Sequence, residues 1–313
     1  MSSQLQRRRG SRQLHLLLAF GLATLASTYS TRAPGQDEPA SLNIGETFTV
    51  ESKALGETRR INVYRPPGNS SASGVRLPVL YMPDGGIGED FLHIAGLIQI
   101  SVSNSTMRPF LLVGIENTER RRDMTGPTHN TEDRKIAPRV GGSQTFRRFI
   151  RQELMPLVRA RYHTTEESAI IGESLAGLFV IDTLAQEPDL FDTYIAVDPS
   201  LWWNNEALVK TAAQWLLTVP RRNRTLYFAT SDEKGIVAPA QRLAHALSAK
   251  PSITLRWHYE PMPAEQHATI YHPAALRAIR ALFAPCASGS TMKPHAPNAS
   301  EVDAGVAITP CSQ

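Results

Sequence analysis

The sequence predicts an α/β protein, a mostly parallel central sheet of about eight strands with helices on both faces. Three observations carry this. Short apolar segments of strand length alternate with longer segments of helical period. The later strands are nearly all apolar, as in Leu111-Leu112-Val113, which suits burial on both faces of a sheet. The helical segments are long enough to be the crossovers that parallel strands require.

In chain order, residues 47–52 and 60–64 read as two opening strands, an antiparallel hairpin turned around Gly56. Residues 78–82, 110–115, 169–171, 194–197, 226–229 and 254–259 continue the series. Helical patterns occupy 89–100, 144–161, 175–185, 207–217, 239–250 and 273–283. In the second of these, Phe146, Phe149, Ile150, Leu154, Leu157 and Val158 mark one helical face.

The ends read differently. Arg7, Arg8, Arg9 and Arg12 precede an apolar run, residues 14–26, too short to span a bilayer, and small residues follow. Residues 1–33 are therefore expected to be a signal peptide, and the mature chain to be periplasmic or secreted with no stable membrane insertion. Residues 34–44 read as a linker, 45–284 as the α/β-hydrolase catalytic domain, and 285–313 as a disordered or loosely packed tail. Of the net charge of +4, the four leader arginines account for all, so no nucleic-acid footprint remains. Two cysteines, Cys286 and Cys311, lie in the tail, where a disulfide and two free thiols are both open. Neither resembles a metal ligand, and no metal or organic cofactor is implied.

Chemistry enters at residues 169–180. An apolar strand runs into Gly172-Glu173-Ser174-Leu175-Ala176-Gly177 and then a helix. This strand–turn–helix context is that of a nucleophile elbow, with Ser174 as nucleophile at the top of an α/β-hydrolase sheet. The usual pattern ends in Gly; here Ala176 holds that place, with Gly177 behind it. Partners in this fold follow in the order Ser, acid, His. His267, in the loop between the last strand and the last helix, is the expected base; His258 and His272 read as structural. The acid is expected after the strand at 226–229. Asp232 and Glu233 are the candidates there, Glu233 slightly favoured for its reach, with Glu265 a third. The oxyanion donors are expected to be the amides of Leu175 and of Gly86 or Ile87, in the Gly-rich loop after the strand at 78–82.

These segments resemble the "putative esterase" family of α/β hydrolases, which includes siderophore esterases of the enterobactin- and salmochelin-hydrolysing type. The matching residues are 79–85 (Val-Leu-Tyr-Met-Pro-Asp-Gly), 113–117 with 120–123 (Arg-Arg-Arg-Asp), 149–156, 172–179, 199–203 (Pro-Ser-Leu-Trp-Trp) and 265–267 (Glu-Gln-His). The resemblance implies Ser174 as nucleophile, His267 as base, and substrate-binding roles for Arg121 or Arg122 with Asp123 and for Trp202 and Trp203. From the residues alone, the tryptophans suit either a core or the wall of an acyl or aryl pocket. The arginine run suits either a solvated surface or a polyanionic iron complex. Asp198 stands where relatives often carry Ser. Some of those relatives work with a Ser–His dyad.

The expected activity is hydrolysis of a small-molecule carboxylic ester through an acyl-enzyme. Acyl transfer to an alcohol would use the same intermediate. A non-catalytic binding protein on the same shell would be expected to have lost Ser174 or His267, and both are present.

Overall fold

The computed structural model describes residues 41–69, 74–217, 219, 224–249 and 255–285. The leader, most of the linker, and the tail with both cysteines lie outside the described residues. The compact unit treated below begins at Ile44.

Eight strands form one sheet in the order β1-β2-β4-β3-β5-β6-β7-β8. The opening hairpin pairs β1 (Glu46–Ser52) with β2 (Glu57–Tyr64), and β2 runs antiparallel to β4 (Leu111–Ile115). The remaining strands are parallel: β3 (Val79–Pro83), β5 (Ser168–Glu173), β6 (Thr193–Val197), β7 (Arg224–Thr230) and β8 (Leu255–Pro261). Successive side chains point to opposite faces, which divides the core in two. Tyr81, Val113, Ile170, Tyr194 and Phe228 belong to one apolar cluster, and Leu80, Leu112, Ile171, Ile195 and Tyr227 to the other. Both faces are buried, as the apolar strands predict.

Helices α1 (Phe91–Ser103), α6 (Leu175–Gln186), α9 (Lys234–Ala249) and α10 (Tyr271–Leu282) are the expected crossovers and terminal helix. Two short helices, α2 (Arg120–Met124) and α3 (Thr131–Lys135), lack a sequence signal. The long helix at 144–161 is α4 (Ser143–Phe149) and α5 (Met155–Tyr162), joined through a π turn at Ile150–Leu154. The helix expected at 207–217 is two pieces, α7 (Trp203–Lys210) and α8 (Ala212–Trp215). Thr211 separates them, its hydroxyl donating back to the Ala207 carbonyl at 2.8 Å. Helix α9 starts five residues before the expected Pro239, because the Glu233 carbonyl accepts the amides of Ile236 and Val237. Pro239 thus sits inside the helix.

The first turn of α7 is left-handed. Asn204, Asn205 and Glu206 have φ of 49°, 53° and 61°. Such a conformation costs L-residues about 1–2 kcal/mol each, so it persists only where the surroundings hold it.

Candidate active site

Strand order decides where chemistry can gather. In an open α/β sheet, ligands bind beyond the carboxyl ends of the strands. Three groups meet there, from three strands.

Ser174 follows β5 directly and precedes α6, with φ 58° and ψ −117°. This is the strained geometry of an elbow. Smallness is needed at two places. A Cβ on Gly172 would lie 2.7 Å from that of Ala176, and one on Gly177 would lie 2.9 Å from the Val197 carbonyl. Ala176 is accommodated because Gly172 faces it, and Gly177 meets the close approach of β6. Leu175 opens α6, so its amide has no partner within the helix and is a natural oxyanion donor.

Residue 198 stands beside residue 174 because β5 and β6 pair Glu173 with Val197. The Ser174 amide donates to the Val197 carbonyl at 3.0 Å, and the Ser200 amide returns to the Ser174 carbonyl at 3.0 Å. The two hydroxyls, Ser174 Oγ and Ser200 Oγ, are 3.4 Å apart. Asp198 itself is fully buried. Its Oδ1 accepts the Ser231 amide at 2.6 Å, and its Oδ2 accepts the Ser231 hydroxyl at 2.7 Å. Oδ2 also lies 2.8 Å from His267 Nδ1.

His267 sits in the loop after β8, as expected, with its side chain 42% exposed. The hydrogen bond to Asp198 raises its pKa above 6.5, ahead of the opposing effect of burial. The bond to Asp198 is made by Nδ1, so Nε2 is the ring nitrogen not committed to the carboxylate. The loop is fixed by its own turn: the Ile270 amide donates to Gln266, and Thr269 Oγ1 donates to Glu265 at 2.7 Å.

The carboxylate on the imidazole is therefore Asp198, which corrects the expectation of Glu233 or Asp232. Both of those are exposed. Asp232 contributes only its amide, to the Glu265 carbonyl at 3.0 Å, and Glu233 opens α9. Glu265 is spent on Thr269. This carboxylate comes from the end of β6, one strand nearer Ser174 than the turn where the acid was expected. Ser231 was also missed; it gives two donors to Asp198.

The loop after β3 behaves in part as expected. Gly86, one of the two candidate oxyanion donors, already gives its amide to Glu89 Oε2 at 2.6 Å. The Ile87 amide has no partner among the described residues, so Ile87 is the freer donor. Asp84 takes φ 58° at the head of this loop. Arg120 holds it with two bonds, 2.7 and 2.9 Å, and reaches the Glu173 carbonyl at 3.5 Å. Arg120 is thus the arginine of the run that touches the site's framework. Burial pushes the carboxyls of Glu173 up to about 7 and of Asp90 up to about 6. Both carboxyls are thereby less readily ionised than a solvated carboxylate.

Arg122 and Asp123 are engaged elsewhere. Asp123 is 1% exposed and pairs with Arg59 and Arg122, and Arg59 is itself fully buried. Arg122 also grips Glu57, whose pKa it holds at about 2. These residues bind α2 to β2 and are not free for substrate. Arg121 is exposed, donates to the Ile136 carbonyl at 2.6 Å, and has no carboxylate partner among the described residues. A cavity of about 360 Å³ is lined by Glu119, Arg120, Arg121, Arg122, Ala137, Pro138 and Arg139. The tryptophans divide. Trp203 is buried and donates Nε1 to the Gly126 carbonyl at 2.9 Å, whereas Trp202 is 37% exposed.

Among the described residues, no cluster of His, Cys, Asp and Glu is arranged to hold a metal ion, and no helix is long and apolar enough to cross a membrane.

Residues 52–243 match a family model described as "Putative esterase". The chain belongs to this esterase family. It is a carboxylic ester hydrolase of the α/β-hydrolase fold. The esterase is 30% identical over 195 residues to the ferri-bacillibactin esterase BesA of Bacillus subtilis, covering 58% of this chain and 67% of that one. It is 22% identical over 230 residues to the iron(III) salmochelin esterase of Escherichia coli, covering 68% of the esterase and 52%, about half, of that relative. An IroE-like serine hydrolase from Shewanella oneidensis shares the fold, with a TM-score of 0.70 at 24% identity, over 76% of this chain and 80% of that one.

Proposed function

We propose that the esterase cleaves its substrate through a Ser174–His267–Asp198 triad and that the substrate is a siderophore ester. The observation that carries the mechanism is the 2.8 Å bond between His267 Nδ1 and the buried Asp198, beside the Ser174 elbow. Ser174 Oγ attacks the ester carbonyl carbon and passes its proton to His267 Nε2. Collapse of the tetrahedral intermediate breaks the C–O bond, and the same proton goes to the departing alkoxide. The acyl-enzyme is then hydrolysed by water, His267 again accepting and returning a proton, which releases the acid and restores Ser174. The amides of Leu175 and Ile87 serve the oxyanion. Asp198 keeps the imidazole in the tautomer that can accept.

The substrate class rests on the relatives' activities and on charge. A ferric siderophore is commonly a polyanion; Arg120, Arg121, Arg122 and Arg139 line a cavity, and Arg120 also reaches the Glu173 carbonyl at 3.5 Å. The arginine-rich leader supports action in the periplasm or outside the cell.

Labelling with an active-site fluorophosphonate, followed by hydrolysis of ferric catecholate and hydroxamate esters beside short aryl esters, tests the reading. The protein labels at Ser174 and turns over a siderophore ester with higher kcat/KM than the aryl esters. A Ser174→Ala protein that folds and keeps full activity overturns the mechanism. A preference for the simple esters overturns the substrate.

A further inference from the structure

Ser200 Oγ lies 3.4 Å from Ser174 Oγ, and the triad makes no use of it. The backbone sets its place. Asp198 turns the chain with φ 43° at the end of β6, and Pro199 follows. The Ser200 amide then donates to the Ser174 carbonyl at 3.0 Å, and the Ser200 carbonyl accepts the Trp203 amide at 3.2 Å. The hydroxyl is thereby held beside the nucleophile from the β6 side. The loop after β3, which carries Gly86 and Ile87, belongs to the other side, because β5 stands between β3 and β6. The printed contact of Ser200 is with the attacking oxygen itself.

Two facts assign the proton in this contact. Ser200 is 3% exposed, whereas Ser174 is half-buried. A buried hydroxyl that donates to nothing is costly, and Ser174 Oγ is the one hydrogen-bond partner of Ser200 Oγ among the described residues. A serine hydroxyl has one proton to give and two lone pairs that accept. If Ser174 gave its proton to Ser200, it could not give it to His267. The Ser200 proton would then lack an acceptor among the described residues. If Ser200 donates, its own proton is satisfied and the Ser174 proton is free for the imidazole. The second arrangement serves both hydroxyls.

We propose that Ser200 is a further catalytic residue: its hydroxyl donates to Ser174 Oγ, leaves the Ser174 proton to His267, and steadies the charge that gathers on Oγ as that proton departs. In the attack, one lone pair of Oγ forms the bond to the carbonyl carbon and the other accepts from Ser200. The carbonyl π pair moves to the oxyanion, and the Ser174 proton passes to His267 Nε2. The Ser200 proton stays on Ser200 throughout. At 3.4 Å the contact is long for two neutral hydroxyls, and hydrogen bonds to an ionising oxygen are shorter and stronger. The bond therefore tightens on the way to the transition state, which is the condition for a contact to lower the barrier. The role rests on Ser174 as nucleophile in the ester-hydrolase reading above.

The test follows hydrolysis of an activated aryl ester, and the rate of labelling by a small fluorophosphonate, in the parent, Ser200→Ala and Ser200→Thr. Ser200→Ala lowers kcat/KM and the labelling rate by a common factor of about thirtyfold. Alanine keeps both backbone bonds, so the melting temperature stays near that of the parent. The acid limb of the kcat/KM profile also stays in place, because Asp198 and the imidazole are untouched; a loss caused by a displaced His267 would move it. Ser200→Thr keeps a hydroxyl and recovers most of the rate. The proposal is overturned if Ser200→Ala keeps both rates within about threefold, or if the acid limb moves along with the loss. A Ser200→Thr protein of parental melting temperature that is as slow as the alanine variant overturns it too. A parent that the fluorophosphonate does not label at Ser174 refutes the nucleophile reading. A parent that labels there, with Ser200→Ala labelling equally fast, refutes the role of Ser200 alone.

Discussion

Asp198→Asn separates the two possible sources of the acid. Asp198 receives three donors: the Ser231 amide on Oδ1, and the Ser231 hydroxyl and His267 Nδ1 on Oδ2. An asparagine presents one acceptor oxygen. If that oxygen keeps the Ser231 amide, its NH₂ group faces Nδ1 and forces the imidazole to carry its proton on Nε2. That tautomer cannot accept from Ser174. The expected loss is about four decades in kcat, about 5.4 kcal/mol at about 1.36 kcal/mol per decade. The pH profile moves as well. Neutral imidazole is the working form, so kcat/KM rises with pH through the pKa of His267 and levels above it. Asp198 is the first cause that lifts this pKa, and burial opposes it. Removing the carboxylate's charge leaves burial dominant, so the acid limb moves to lower pH. Steady-state hydrolysis of an activated aryl ester between pH 5 and 9 reads both effects. Glu233→Gln and Asp232→Asn remain within about threefold of the parent, since both side chains are exposed and off the imidazole. A folded Asp198→Asn enzyme that keeps a tenth of its activity, while Glu233→Gln loses three decades, refutes the reasoning.

Two further expectations concern the arginine run. Arg120→Met leaves Asp84 without its two charged bonds at 9% side-chain exposure; it costs about 2–3 kcal/mol in urea unfolding and lowers kcat more than it raises KM, because the loop carrying Ile87 is displaced. Asp123→Ala removes one of the two carboxylates on the buried Arg59, leaving Glu57 at 2.8 Å, and costs about 1.5–3 kcal/mol, yet leaves the ranking of ester substrates unchanged; a change of ranking without loss of stability would return Asp123 to the binding site.

How much of this could be read from sequence differs by kind of residue. Strands announce themselves through local apolar runs, and each of the eight falls where the pattern places it. Ser174 and His267 are legible because each has a local context, an elbow for one and a strand–loop–helix interval for the other. The acid has none. Any carboxylate at a strand's carboxyl end can serve, and which one reaches Nδ1 depends on sheet order and on the loop's path. Asp198 did carry a signal, an acidic residue directly after an apolar strand. The engagement of Arg122 and Asp123 was hidden because their partners, Glu57 and Arg59, are more than sixty residues away. The left-handed turn has no glycine to mark it, only two adjacent asparagines.

The three residues of the proposed triad are not equally anchored. Ser174 and Asp198 leave β5 and β6, inside the sheet, and backbone bonds on both sides tie them together. His267 follows β8, the outermost strand, whose residues are mostly half-buried. Local opening is cheapest at such an edge. On warming, the histidine loop should detach while the rest of the sheet is intact, so activity fades reversibly some degrees below the calorimetric transition. Amide exchange would show the order directly, fast at Met262 and Ile270 and slow at Ser174. The hydrolase would then have a heat-labile hinge on its proposed base alone, and a covalent staple from the β7 turn to the histidine loop would raise its working temperature without changing its melting point.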